Sequence, residues 1–164
     1  IHQDGQSVDP VEQTIFEEKF GDKVLKKPWI TLSEYTDFDN ADFVFTDLNS
    51  SLNMRALAGF NSHVWMPNGG DSGFTIEGFR VDGFSDLKLV FNLMPSAPFD
   101  LSVMNVYCDS QRLDIVSKEV KGQSLNLITI ENLPADFSVL KFEISSTDNP
   151  NGLRVGNIKL TGMK

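Results

Sequence analysis

The chain has 164 residues, 14 lysines and arginines, 23 acids and a formal net charge of -9. With 40% hydrophobic and 23% charged residues, it is long and apolar enough to bury a core, and its composition is not that of a disordered chain. The acid excess argues against nucleic acid as a partner, because phosphate affinity comes mainly from Lys and Arg. No apolar run reaches the roughly 20 residues that span a bilayer as a helix.

The acidity is uneven. Residues 1–50 hold eleven acids and four lysines, while residues 51–164 hold twelve acids against ten bases. A solvated acidic loop in the first third is the plainer account, and a cation site the sharper one. Residues 1–13 (IHQDGQSVDPVEQ) are polar and lack the basic and apolar regions of a signal peptide. They read as a tail or linker, with the domain over 14–164. A leader already removed would fit a chain that does not begin with Met.

From Thr14 onward the pattern has period two, the signature of strands. Thr14–Phe20 places Phe16, Glu18 and Phe20 on one face, and Asp42–Thr46 is short and aromatic. Ser50–Ala58, opened by serines, is the best helix candidate. His63–Met66, Gly73–Phe79 and Asp86–Leu93 follow, the last with Leu87, Leu89 and Phe91 on one side. Leu101–Tyr107 is apolar and mixed, and Ser124–Ile130 alternates through Leu125, Leu127 and Thr129 as its apolar face. In Ser138–Ile144, Leu140, Phe142 and Ile144 oppose Val139, Lys141 and Glu143. Leu153–Leu160 closes the series. Turn residues separate these runs: Pro67–Gly70, Asp82-Gly83, Lys121-Gly122 and Asp148–Gly152. Short, evenly spaced strands predict an all-β jelly-roll sandwich of two antiparallel sheets with eight to ten strands.

Chemistry-bearing residues are few. Cys108 is the single cysteine, so no intrachain disulfide forms, and its neighbours suggest a small buried hydrophobe. His2 lies in the tail and His63 in a strand. Ser62 and His63 are adjacent on a strand, point to opposite faces and cannot pair as nucleophile and base. His63 reads first as a half-buried strand histidine. Asp37–Asp42 looks briefly like a calcium loop but lacks the glycine at the sixth position and the glutamate at the twelfth. A structural calcium of another type stays open, without being favoured. Glu18, between two phenylalanines, needs a partner if buried: a cation, or an arginine such as Arg154. Otherwise its strand is an edge and it faces solvent. With so many acids, a glycosidase pair has no specific signal. Trp65, flanked by Asn61, Ser62, His63 and Asn68, and Trp29 are each either core residues or exposed rings on which a sugar stacks. Trp65, His63, Asn61 and Trp29 are therefore the ligand-binding candidates, with no catalytic residue and no metal ligand among them.

Four stretches carry a family resemblance: TIFEEKFG (14–21), EYTDFDN (34–40), the run 61–94 from NSHVWMP to VFNLM, and LKFEISSTDNPNGLRVGNIKLTG (140–162). They resemble small jelly-roll domains of secreted and surface lipoproteins of Bacteroides-type bacteria, related to galactose-binding-like and "choice-of-anchor J" sandwiches. The resemblance implies a non-catalytic accessory or binding module of an exported protein. It would sit at the cell surface or in the periplasm, lipid-anchored through a removed leader, with glycans or another extracellular protein as partner. A structural or adhesin-like interaction domain is the alternative, and a glycoside hydrolase ranks behind both. Relatives carry Asp before the Asn of the last strand. Gly156 stands there in this chain and supplies no oxygen ligand, so no metal site is carried over.

Overall fold

The computed structural model describes residues 9–21, 29–57, 59–67, 72–101, 104–115, 119–144 and 152–164. Fourteen strands are described: β1 (Glu12–Glu18), β2 (Ile30–Thr31), β3 (Val44–Asp47), β4 (Asn53–Leu57), β5 (Asn61–Met66), β6 (Ser72–Glu77), β7 (Ser85–Pro95), β8 (Phe99–Asp100), β9 (Met104–Cys108), β10 (Gln111–Arg112), β11 (Glu119–Val120), β12 (Asn126–Ile130), β13 (Val139–Ile144) and β14 (Leu153–Met163). A 3-10 turn occupies Leu32–Glu34.

A seven-stranded sheet runs β12-β7-β14-β5-β4-β2, with β1 also on β14. A five-stranded sheet runs β10-β9-β13-β6-β3, and β8 and β11 form a small third pair. All pairings are antiparallel. β14 organises the larger sheet. One of its edges meets β7 along most of its length; the other meets β5 at Leu153–Val155 and β1 at Ile158–Met163. Between these stretches a register shift coincides with Asn157 at φ 49. That left-handed conformation is one asparagine tolerates better than most residues.

The alternation read from sequence turns inward as expected on β7 and β13. Leu87, Leu89, Phe91 and Leu93 face Leu140, Phe142 and Ile144 across one core. Phe91 and Phe142 bridge the sheets edge to face at 5.2 Å, and Phe74 stacks on Phe142 at 5.0 Å. Each such pair adds about 0.5–1.5 kcal/mol to its area burial.

Three expectations need correction. Ser50–Ala58 is no helix: Asn53–Leu57 is β4, held between β2 and β5, with Met54 in the core and Asn53 and Arg55 on the other face. The first strand starts at Glu12, two residues earlier than expected, because Val11 and Lys164 exchange backbone hydrogen bonds at 3.3 and 3.1 Å. On β12, Leu127 and Thr129 face solvent, while Ile128 and Ile130 enter the core. The turn Pro67–Gly70 and the turn Asp148–Gly152 lie largely outside the described residues.

Glu18 has its partner, and it is not Arg154. Its carboxylate is fully buried and accepts four hydrogen bonds. Oε2 takes the amides of Phe20 and Asp39, both at 2.8 Å, and Oε1 takes the Asn40 amide at 3.0 Å and Asn40 Nδ2 at 2.9 Å. In return, Asp39 accepts from the amides of Lys19 and Gly21. The acidic stretch 37–42 is thus a loop latched onto the end of β1.

Candidate functional site

The sandwich offers two outer faces, and the tryptophans share one of them. On the seven-stranded sheet, Thr31, Asn53, Trp65, Arg154 and Met94 form one cross-strand row. Arg55 and His63 are opposed in the next row. The Arg55 guanidinium carbon lies 3.5 Å from the Trp29 ring centroid and 3.7 Å from that of Trp65, and its Nε donates to Asn53 Oδ1 at 2.8 Å. Burial, reinforced by the nearby Arg154 charge, lowers the Arg55 pKa to about 10. Burial also lowers that of Arg154. Even so, Arg55 stays charged at neutral pH.

Behind this stack lies a second buried aromatic pair. Phe60 is 1% exposed yet belongs to no part of the main core; its ring stacks on His63 at 4.5 Å. It reaches that position from a tight β4–β5 turn, where Gly59 has φ +83 and the Phe60 amide donates to Leu57 O. A Cβ on Gly156 would stand 2.7 Å from Phe60 Cε1 and 3.1 Å from His63 Cβ. The Phe60 ring occupies the space that a side chain at position 156 would need.

The four candidate ligand residues therefore separate. Trp29, 36% exposed, and half-buried Trp65 come together around Arg55. His63 is fully buried under Phe60, so it supports the face and meets no ligand. Asn61 opens β5, but its side chain lies outside the described residues.

The five-stranded sheet carries residues that sequence reasoning passed over. Thr46, Thr75, Lys141, Tyr107 and Arg112 are consecutive cross-strand neighbours on its outer face, one from each strand. In the adjacent row Glu143 faces Asn105 on one side and Gly73 on the other. Lys141 Nζ lies 4.2 Å from the Tyr107 ring centroid and 3.7 Å from Glu143 Oε2. Asn105 Nδ2 reaches Glu143 Oε1 at 3.5 Å. At Gly73 a Cβ would meet Phe142 O at 2.9 Å and Leu48 Cδ1 at 3.4 Å, and Gly73 is itself buried, so the Leu48 side chain covers the strip beside Glu143. Tyr107, Lys141, Asn105 and Glu143 are all half-buried: held by neighbours yet reachable from solvent.

A groove of about 640 Å³ lies where β10 and β12 approach, lined among others by Arg112, Asp114, Ile115, Ile128 and Glu131. It has no aromatic floor, and its two acids are solvent-exposed side chains. Among the described residues no group of three or more metal-ligating side chains forms, and no helix is long and apolar enough to cross a membrane.

No family model and no curated protein matches the sequence. Among solved structures, the chain is similar to the xylan-binding CBM22-1 domain of Xyn10C from Paenibacillus barcinonensis, with a TM-score of 0.54 and 10% identity over 95% of this chain and 97% of that one. It is also similar to CBM29_1, a family 29 carbohydrate-binding module from Piromyces equi (TM-score 0.53, 9% identity, 94% and 92% covered). The arabinose-bound MgGH51 α-L-arabinofuranosidase matches at a TM-score of 0.53 and 15% identity; this chain covers 28% of it. The fold is a jelly-roll β-sandwich of the galactose-binding-like type. At these identities the likeness is one of fold, and a site has to be argued from residues.

Proposed function

We propose that the chain is a non-catalytic carbohydrate-binding module whose glycan surface is the outer face of the five-stranded sheet. The row Thr46–Thr75–Lys141–Tyr107–Arg112 carries this reading. A glycan presents hydroxyl groups that both donate and accept, around an apolar ring face. The sheet answers with a donor ammonium on Lys141, an acceptor carboxylate on Glu143, the two-way amide of Asn105 and the Tyr107 ring, all on rigid strands. The carbohydrate-binding modules of the same fold support it. Catalysis is not part of the reading. A hydrolase of the glycosidase type needs one acid held in apolar surroundings opposite another, and the two acids of the β10–β12 groove are both exposed. The setting that fits this reading is an exported protein, at the cell surface or in the periplasm, where polysaccharides are met.

Affinity electrophoresis through gels containing xylan, β-galactan, β-glucan or mannan tests the reading. Retardation by at least one neutral polysaccharide is expected, and its loss in Tyr107→Ala with an unchanged melting temperature. Equal migration in every gel overturns it.

A protein-docking edge is the second reading, favoured by Leu125 and Leu127, which are 42% and 61% exposed at edge strand β12. Concentration-dependent association in sedimentation, abolished in Leu127→Lys, would support that surface; a monomer at all concentrations would remove self-docking.

A further inference from the structure

Arg55 and Arg154 stand close together on the outer face of the seven-stranded sheet, and no carboxylate among the described residues pairs with either. That is unexpected in a chain where 23 acids face 14 bases. Bases elsewhere in the chain do find acids: Lys88 Nζ is 3.0 Å from Glu12, and Lys19 Nζ 3.9 Å from Glu17. Arg154 Nε is buried with no hydrogen-bond partner, an arrangement that costs free energy until an acceptor arrives. Arg55 engages Asn53 through Nε, and Trp29 and Trp65 fix its plane. Burial lowers the pKa of both guanidinium groups, and the nearby Arg154 charge lowers that of Arg55 further. An anion between them would relieve the repulsion and satisfy the buried nitrogen. The planar fork of each guanidinium matches a carboxylate or sulfate group.

We propose that Arg55 and Arg154 form an oxyanion site, flanked by Trp29 and Trp65, that takes the carboxylate or sulfate group of an acidic saccharide. The saccharide as bearer of the charge rests on the carbohydrate-binding reading, but the site lies on the opposite face from Tyr107. The net charge of -9 makes adventitious attraction of polyanions unfavourable.

The chain's two tryptophans both touch Arg55, so tryptophan emission reports directly on this site. Emission is followed while oligogalacturonate, a sulfated galactan oligosaccharide or a neutral galactan oligosaccharide is added to the intact chain. A saturable change with the carboxylated or the sulfated ligand is expected, and whichever gives it names the source of the charge. Binding should weaken about tenfold or more in Arg154→Gln and Arg55→Gln, the worth of a lost charge-assisted hydrogen bond. It should also weaken with added salt and be unchanged in Arg80→Gln, whose arginine is exposed beside Asp82. Should Arg154→Gln not fold, Arg154→Lys keeps the charge and loses the fork, and the same weakening is expected. Acidic ligands that bind no better than the neutral one, or bind the arginine variants as well as the wild type, overturn the site. An equal response to inorganic polyphosphate overturns the saccharide assignment. Retardation by neutral polysaccharide that needs Tyr107, without any acidic preference, removes this inference and leaves the glycan face standing. An acidic preference with no neutral retardation does the reverse.

Discussion

Glu18 and Asn40 meet twice: Glu18 Oε1 accepts from the Asn40 amide at 3.0 Å and from its Nδ2 at 2.9 Å. With Phe20 and Asp39 on the other oxygen, one buried carboxylate terminates four donors. Glu18→Gln keeps the shape but turns one oxygen into a donor facing two donors. It should destabilise the fold by about 3 kcal/mol and lower the melting temperature by about 10 °C. Differential scanning calorimetry of the variant checks this, and an unchanged transition would mean that the latch contributes nothing.

Gly156→Ala drives a methyl group into the Phe60 ring. An overpacking cost of about 1–3 kcal/mol is expected, measured as a lowered urea midpoint. Because the conflict is with Phe60 itself, Phe60→Leu in the same chain should recover part of it. Strict additivity of the two substitutions would show that the contact is not the cause.

Burial, with a smaller contribution from Asp109, pushes the Cys108 thiol from 9.0 up to about 12. A folded-state value above the unfolded one gives a contribution fully present below pH 9 and lost as the pH climbs toward 12. The wild type should therefore lose up to about 1.4 kcal/mol per pH unit in that window beyond any loss in Cys108→Ala, read from paired urea titrations. Identical alkaline slopes would contradict it. At pH 8 the native thiol should also resist a disulfide exchange reagent until denaturant is added.

The core strands could be read from the chain because burial imposes its period directly. Leu87, Leu89 and Phe91 alternate with polar neighbours on β7, and Leu140, Phe142 and Ile144 do so on β13. β4 could not: in so short a segment the single inward Met54 sets no period, and only pairing with β2 and β5 decides its conformation. Missing that strand also hid Arg55, the residue that joins Trp29 to Trp65. Tyr107 went unnoticed for a related reason. The row around it draws one residue from each of five strands, so no local spacing announces it. The Glu18 partner was out of reach too, because backbone amides accept no signature in side-chain pattern.

β14 takes up both β7 and, on its other edge, β5 and β1, and it is the last strand in chain order. During synthesis the ribosome releases those three strands long before the one that joins them. The earlier part of the larger sheet must therefore wait with bare hydrogen-bonding edges, and closure comes as a late, long-range step. Nascent chains of this protein should be most vulnerable to strand-to-strand association with each other in that interval, and least so once Leu153–Met163 has inserted.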